Sequence, residues 1–315
     1  MALKVLVTGA TGFVGRHLGR LLAGEGLDLY GTCFPDHPCP EDRQLVHLDL
    51  RSAEGAEALV ERVKPDWVIH LAAVSNVRKS WENRRETLET NILATGNLLE
   101  AVRKFSPAAR FLDISSSDVY GLPRSGDHLF REDDPVEALS PYAYTKLAGE
   151  ILSRFYVKVE RLDIVIARPF PHTGPGQTAD FVFSDWASQI ARIENGLAEP
   201  VIRVGNLEVR RDYADVRDVV RAFVLLMRKG RTGETYNVCT GRAVSLRDIL
   251  ASLVSLARKP VKVEVDPAKL RKTDIPFLAG DGSKIKRETS WSPTFPLEET
   301  LLSLLETWRG RPAGS

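Results

Sequence analysis

The chain has 315 residues, 43% hydrophobic and 27% charged, and its 43 basic and 42 acidic side chains leave a formal net charge of +1. This is room for one large α/β domain and a smaller lobe. The near-neutral balance excludes the electrostatic footprint of a nucleic-acid or anionic-membrane binder. No apolar run approaches the roughly 18 residues of a membrane span, and Gly9, Gly12 and Gly15 break the N-terminal apolar stretch too early for a secretory leader. Cys33, Cys39 and Cys239 are odd in number and scattered. They exclude a disulfide framework and a zinc knuckle, no metal site is expected, and small buried or half-buried cysteines in a reducing cytoplasm suit the pattern.

The first strand reads at Lys4–Thr8. It runs into Gly9-Ala10-Thr11-Gly12-Phe13-Val14-Gly15, and a helix reads over Gly12–Ala23. Three glycines at G-x-x-G-x-x-G between a strand and a helix point to a dinucleotide. The first permits the turn, the second lets the backbone approach a pyrophosphate, and the third lets the helix pack on the strand. The helix N-terminus offers free N–H groups and a partial positive charge to the phosphates. The second strand, Leu29–Cys33, ends at Thr32-Cys33-Phe34 without a carboxylate, and Asp36 lies beyond, past Pro35. An acid at that strand end bonds the ribose hydroxyls and favours NAD. The Thr32 hydroxyl tolerates a 2′-phosphate, with Arg16 as a helper, so NADP(H) is preferred and NAD(H) is the alternative.

Next come a strand at Leu45–Leu48, a helix at Ala53–Val63, a strand at Trp67–Leu71, a helix at Glu86–Phe105 and a strand at Arg110–Ile114. The last of these enters Ser115-Ser116-Ser117-Asp118-Val119-Tyr120-Gly121. A helix over Tyr142–Arg161 opens with Pro141-Tyr142-Ala143-Tyr144-Thr145-Lys146. Tyr142 and Lys146 lie four apart, on one helical face. An ammonium nearby lowers the pKa of a phenol, because it favours the phenolate. Tyr142 can then pass a proton to or from an alcohol oxygen near neutral pH, and Ser116 can hold that oxygen by hydrogen bond.

A strand at Asp163–Ala167 leads to Arg168, and Pro169–Gly176 is too rich in Pro and Gly for an element interior. Helices at Phe181–Asn195 and Asp215–Arg228 and a strand at Thr235–Val238 follow; an irregular stretch, Asp266–Ser283, lies in the mixed C-terminal part. Apolar strands alternating with helices predict a parallel sheet covered on both faces, doubly wound. Residues 1–171 with 215–245 are expected to form the dinucleotide-binding domain. Residues 172–214 with 246–315 are expected to form a smaller, discontinuous α/β lobe for the substrate. Ligands in such sheets sit at the carboxyl ends of the strands, where Ser116 and Arg168 fall.

The joint order of glycine turn, Ser-rich strand end and Tyr-x-x-x-Lys resembles the extended short-chain dehydrogenase/reductases, over nearly the whole chain. The resemblance implies a Rossmann fold and a catalytic set of Ser116, Tyr142 and Lys146. Ser116 is the member of the serine run that stands four residues before Tyr120. It further implies cofactor contacts from Gly9, Thr11, Gly12, Phe13, Val14 and Thr32, from Asp49 and Leu50 at the adenine, and from Leu71, Ala72 and Ala73 at the ribose. Tyr142, Lys146 and Arg168 complete that set. His172 belongs to a loop expected at the nicotinamide end, with no catalytic step.

Four later stretches resemble the branch that reduces GDP-4-keto-6-deoxyhexoses: Pro171–Gln177, Val204–Glu208, Arg211–Asp218 and Tyr236–Gly241. This implies NADP(H)-dependent reduction of a C4 ketone on a GDP-sugar, with Ser117, Asp118, Asn206, Arg211 and Arg271 on the substrate. A pyrophosphate suits a planar Arg fork; Arg211 is the first candidate and Arg271, followed here by Lys272 where the family has Pro, the second. The alternative is a GDP-mannose 4,6-dehydratase or a 4-epimerase with a held cofactor. The short tract between Gly31 and Leu45 favours the reductase, since the dehydratases carry a longer one. The resemblance also implies a homodimer or higher oligomer through the Glu86–Phe105 and Tyr142–Arg161 helices.

Overall fold

The computed structural model describes residues 2–34, 39, 44–270 and 275–311. The first half of the chain runs β1 (Lys4–Thr8), α1 (Phe13–Gly24), β2 (Asp28–Cys33), β3 (Leu45–His47), α2 (Ala53–Val63), β4 (Trp67–His70), α3 (Val77–Glu82), α4 (Arg84–Leu88), α5 (Ala94–Phe105), β5 (Arg110–Ile114), β6 (Leu129–Phe130) and α6 (Pro141–Glu160). It continues with β7 (Asp163–Pro169), β8 (His172–Thr173), α7 (Val182–Glu194), β9 (Val201–Val204), β10 (Arg210–Asp212), β11 (Ala214–Asp215), α8 (Val216–Lys229) and β12 (Thr235–Val238). The remainder is β13 (Ala243–Ser245), α9 (Leu246–Ser255), β14 (Lys262–Val265), β15 (Phe277–Gly280), α10 (Ser283–Thr289) and α11 (Leu297–Arg309).

Seven strands form one sheet in the order β12-β7-β5-β4-β1-β2-β3, with every neighbouring pair parallel. The period-2 alternation of a strand sorts its residues between the two faces. Val5, Val7, Ile69, Leu112 and Val165 pack with α1 and α8; Leu6, Val68, Phe111 and Ile164 pack with α2 and α5. Both faces are covered, which is why these strands read as continuous apolar runs. The doubly wound reading holds, and the order reverses between β1 and β4, the place where such sheets open a crevice for ligands.

A second core joins α7, β9, α9 and α11 through Phe183, Trp186, Ile202, Leu250 and Leu304. A four-stranded sheet, β13-β10-β15-β6, lies between this core and the large sheet's edge residues Tyr120 and Phe170. Two segments cross the expected domain boundary. Ile285 and Trp291 pack in the core of the large sheet, and β6, from the N-terminal half, pairs with β15.

Two local expectations are corrected. Cys33 and Cys39 form a disulfide, their Cα atoms 5.8 Å apart, while Cys239 is free and buried. Scattered spacing in the sequence does not reveal that these two cysteines are paired. The helix expected over Glu86–Phe105 is interrupted: α4 passes into one π-type turn, Glu89–Leu93, before α5. Such turns widen a helix locally and often mark a functional position.

Candidate active site

The glycine loop follows β1. Gly9 takes φ +68°, a conformation that costs glycine nothing, and a Cβ there would lie 3.1 Å from the backbone of Ala72. Gly12 is the exposed N-cap of α1, whose first turn has no side-chain cap and no acidic residue. A Cβ on Gly15 would come 2.4 Å from the Gly9 carbonyl oxygen, so the helix packs on the strand end only with glycine there. Free N–H groups, a partial positive charge and a backbone without side chains make a cradle that fits a dinucleotide pyrophosphate. Phe13 begins α1 and stacks on His172 at 6.3 Å. The Thr11 carbonyl accepts from Arg16 at 3.2 Å, and the same guanidinium reaches the Gly176 carbonyl. Val14, partly buried, packs toward the core.

Around this cradle the expected residues are placed unequally. The buried Thr32 hydroxyl accepts the Gly9 N–H at 3.1 Å, so it shapes the loop. Asp49 is held by Arg51 in a two-pronged ion pair that keeps its carboxyl below the usual range; Leu50 is buried beneath it. Leu71, Ala72 and Ala73 follow β4, and the Ala72 N–H donates to the Thr8 hydroxyl at 3.1 Å. His70 bridges the Thr8 and Thr95 hydroxyls at 2.8 and 2.9 Å; burial pushes its pKa down to about 3, which keeps it neutral.

The Ser–Tyr–Lys set assembles at the end of β5. Ser116 begins the single helical turn Ser117–Tyr120 and accepts the Asp118 N–H at 3.1 Å. Its hydroxyl lies near enough to the Tyr142 phenol to draw the phenol's pKa down. Tyr142 stands in the first turn of α6, where Ser140 accepts the Ala143 N–H at 3.0 Å and Ser80 accepts the Tyr142 N–H at 3.2 Å. Lys146, one turn on, donates to the Ile114 carbonyl at 2.7 Å. The expected lowering of the Tyr142 pKa by Lys146 is not what this geometry produces. Burial holds the phenol above its ordinary value, the Asp118 carboxylate pushes it further up, and the Ser116 hydroxyl pulls it back. The Lys146 ammonium is spent on the strand end, and burial lowers its pKa against the pull of Asp113.

Arg168 stands near the end of β7, as expected, and its charge is already engaged. It is 3% exposed and gives Nε and one Nη to Glu150 at 2.7 Å, with the Tyr120 ring 4.8 Å away. It clamps β7 to α6, and its other Nη donates to the Glu132 carbonyl at 3.3 Å. On the substrate side, Ser117 is buried with a hydroxyl that has no hydrogen-bond partner among the described residues. Buried polar atoms left in that state are rare and mark places a ligand can satisfy. Asp118 acts electrostatically on Tyr142. Asn206 accepts the Glu208 N–H at 3.0 Å in the loop between β9 and β10. In β10, Arg211 pairs with Leu278 and shares its face, toward Tyr120 and Phe130, whereas Arg210 pairs with Phe277 on the other. Arg271 lies outside the described residues. Among the described residues no group of three or more His, Cys, Asp or Glu side chains could hold a metal ion, and no helix is long and apolar enough to cross a membrane.

Sequence reasoning missed three supporting residues. Asn91, turned inward by the π-type turn, exchanges hydrogen bonds with both backbone groups of Val74 and donates to Thr145, one residue before Lys146. Ser80 holds the Tyr142 backbone. Glu150 neutralises Arg168. The signal for the first was a polar stripe, Thr87, Asn91 and Thr95, at one-turn spacing on a helix otherwise read as apolar on that side; the other two depend on contacts distant in the chain.

Residues 6–303 match the family described as GDP-mannose 4,6 dehydratase. The chain is 34% identical over 311 residues to a GDP-6-deoxy-D-mannose reductase of Pseudomonas aeruginosa, covering 99% of both chains. Among solved structures, that of RMD from Pseudomonas aeruginosa complexed with NADPH superposes with a TM-score of 0.88 at 32% identity, covering 99% of this chain and 100% of that one. A UDP-glucose 4-epimerase of Thermus thermophilus in complex with NAD gives 0.88 at 28% identity, with 98% and 99% covered. With the glycine cradle and Ser116, Tyr142 and Lys146 brought to one end of the sheet, this chain belongs to the GDP-mannose 4,6-dehydratase family of extended short-chain dehydrogenase/reductases.

Proposed function

We propose that the chain reduces the C4 ketone of a GDP-4-keto-6-deoxyhexose, giving a GDP-6-deoxyhexose at the expense of NADPH. What carries this reading is the placement of Tyr142 with Ser116 and Lys146 beside the cofactor cradle, in a buried setting that pushes the phenol above its ordinary pKa. Reduction of a ketone leaves an alkoxide that needs a proton, and a phenol kept protonated is poised to give one. Dehydration and epimerisation begin with the opposite step, removal of a proton from the C4 hydroxyl. NADPH, when bound, supplies the hydride. Ser116 holds the C4 oxygen, Tyr142 protonates it, and Lys146 stands beside the phenol at the nicotinamide ribose.

The cradle is formed by Gly9, Thr11, Gly12, Phe13 and Val14, with Leu71, Ala72 and Ala73 at the ribose and Asp49 and Leu50 at the adenine. The absence of an acid at Thr32 favours NADP(H) over NAD(H). Ser117 offers its unsatisfied hydroxyl and Asp118 its carboxylate to the sugar. Arg211 and Asn206, with Arg271, take the GDP end. Residues 172–214 with most of 246–315 form the lobe that closes on the nucleotide, supported by its separate core. A second copy of the chain covers α6, where Tyr144, Ile151, Phe155 and Val159, together exposed along one stripe, continue toward Leu88 and Leu93. A cytoplasmic location fits a protein that draws on NADPH.

The rival reading is 4,6-dehydration, favoured by Asp118 beside Tyr142, an acid where the dehydratases need one. Cofactor stoichiometry separates the two. With GDP-4-keto-6-deoxy-D-mannose, one NADPH is oxidised per product, and Tyr142→Phe lowers kcat by about 10²- to 10⁴-fold while NADPH still binds. Turnover of GDP-mannose with no net NADPH loss overturns the reductase reading.

A further inference from the structure

The layer beneath Lys146 holds two buried carboxylates, and they are provided for differently. Glu150 receives two N–H groups of Arg168 at 2.7 Å and the Ser115 hydroxyl at 2.6 Å, with Arg154 at 3.5 Å. Its charge is fully answered, and its carboxyl is held below the usual range despite burial. Asp113, in β5, is 4% exposed and accepts the Ser153 hydroxyl at 2.8 Å. A Cβ on Gly149 would lie 3.9 Å from this carboxylate. Asp113 therefore rests on the face of α6 that carries Lys146, Gly149, Glu150 and Ser153, at the i, i+3, i+4, i+7 spacing of one helical stripe. Lys146 reaches back to the residue after Asp113, donating to the Ile114 carbonyl at 2.7 Å.

The charges near Asp113 sort simply. On α6, Lys146 draws its pKa down most strongly, Glu150 pushes it up, and Arg154 acts last. On β7, Arg168 is committed to Glu150. On β4, the neighbouring strand, His70 is neutral. Among the described residues, Asp113 is the charge that supports the Lys146 ammonium against burial. A buried ammonium without a partner sheds its proton or moves to water.

We propose that Asp113 is a positioning residue for the reaction, the buried counter-charge that anchors the Lys146 ammonium at the end of β5 beneath the Tyr142 side of the site. It touches neither substrate nor cofactor and acts through Lys146. Asp113→Asn keeps the shape and can still accept the Ser153 hydroxyl, but removes the charge. Lys146 then loses its proton at lower pH.

The turnover arm of the test rests on the ketone-reductase reading; the binding arm does not. The pH dependence of kcat/KM for the ketone and of the NADPH dissociation constant, read by fluorescence, is measured for the wild type and Asp113→Asn. The expected result is a loss of less than about threefold near pH 6.5 that grows to about tenfold at pH 9, the effect of one pKa unit on a titrating partner. If the wild type does not reduce the ketone but Asp113→Asn shifts the pH profile of NADPH binding, the reductase reading falls and the role of Asp113 stands. A uniform loss at every pH, with profiles parallel to the wild type, makes Asp113 merely structural and overturns the proposal. Should Asp113→Asn fail to fold, Lys146→Met reads the same coupling from the other side. Its destabilisation is expected to be larger at pH 8, where Asp113 is ionised, than at pH 5; a loss independent of pH overturns the proposal.

Discussion

Helices α1 and α6 both begin at the carboxyl edge of the large sheet, and their first turns are finished in opposite ways. At α1 the cap is Gly12, with no side chain to accept an N–H and no acid nearby. At α6, Ser140 accepts the Ala143 N–H, Pro141 removes a donor altogether, and Ser80 accepts the Tyr142 N–H. Unsatisfied donors and the partial positive charge of a helix end are binding capacity for an anion. Satisfied donors are rigidity. The first end is left open, where we propose a diphosphate binds, and the second is closed around the backbone of Tyr142, the proposed proton donor.

The comparison can be broken most severely at Gly15. A Cβ there meets the Gly9 and Ala10 carbonyl oxygens at 2.4 and 2.6 Å. Gly15→Ala is expected to cost ~1–3 kcal/mol of stability by overpacking and to weaken NADPH binding by tenfold or more, on the order of 1.4 kcal/mol. Unfolding in urea and fluorescence titration report the two effects. Gly12→Asp sharpens the contrast, because it separates stability from binding. The carboxylate caps α1 while the added Cβ meets the Gly9 carbonyl oxygen at 3.2 Å, so the stability of the free protein changes by no more than a few tenths of a kcal/mol; the charge stands where the phosphates are proposed to bind, and the NADPH dissociation constant should rise about tenfold. Equal or tighter binding would show that the α1 terminus is not the anion site. Ser140→Ala opens the closed end. It is expected to cost ~1 kcal/mol of stability and to change kcat less than about threefold, since Ser80 still holds the Tyr142 backbone; a thermal melt and steady-state rates check it.

A last effect lies in the layer beneath α6 and appears as a slope. His70, with a folded pKa of about 3, refuses a proton that the unfolded chain accepts below 6.5. Stability therefore falls as pH drops through that window, by about 1.4 kcal/mol per pH unit. Asp113, with its folded pKa pushed up to about 6 from 3.8, holds a proton that the unfolded chain releases, so its contribution falls as pH rises through that range. Between about pH 4 and 6 the two slopes oppose. Asp113→Asn removes one and should steepen the loss of stability toward acid. Unfolding curves with unchanged slopes would mean that Asp113 does not titrate there.

Most of the large sheet was legible in the sequence, and so were the glycine cradle and the Tyr142–Lys146 pair. Each is a local pattern: alternation or apolar runs in strands, glycines at a turn, a pair four apart on a helix. The Cys33–Cys39 bond, the π-type turn at Asn91 and the commitment of Arg168 to Glu150 were not legible, because each depends on where a loop or a neighbouring element comes to rest. The clearest miss in chemistry concerns Tyr142. A Lys four residues on suggests a lowered phenol, but the Lys146 side chain bends to the Ile114 carbonyl, and burial and Asp118 then govern the tyrosine.

Residue order by itself determined the fold class and singled out the glycine turn and the Ser116, Tyr142 and Lys146 set as candidates, since hydrophobic periodicity and turn chemistry act over a few residues. Only the tertiary structure decided which polar groups are spent and which are left over. Arg168 was taken by Glu150 and Thr32 by Gly9, while among the described residues Ser117 kept an unpaired hydroxyl and Asp113 came to lie against the helix face that carries Lys146. Hydrogen bonds and buried charges are satisfied between elements far apart in the chain, and the desolvation that sets their pKa values exists only once those elements have packed.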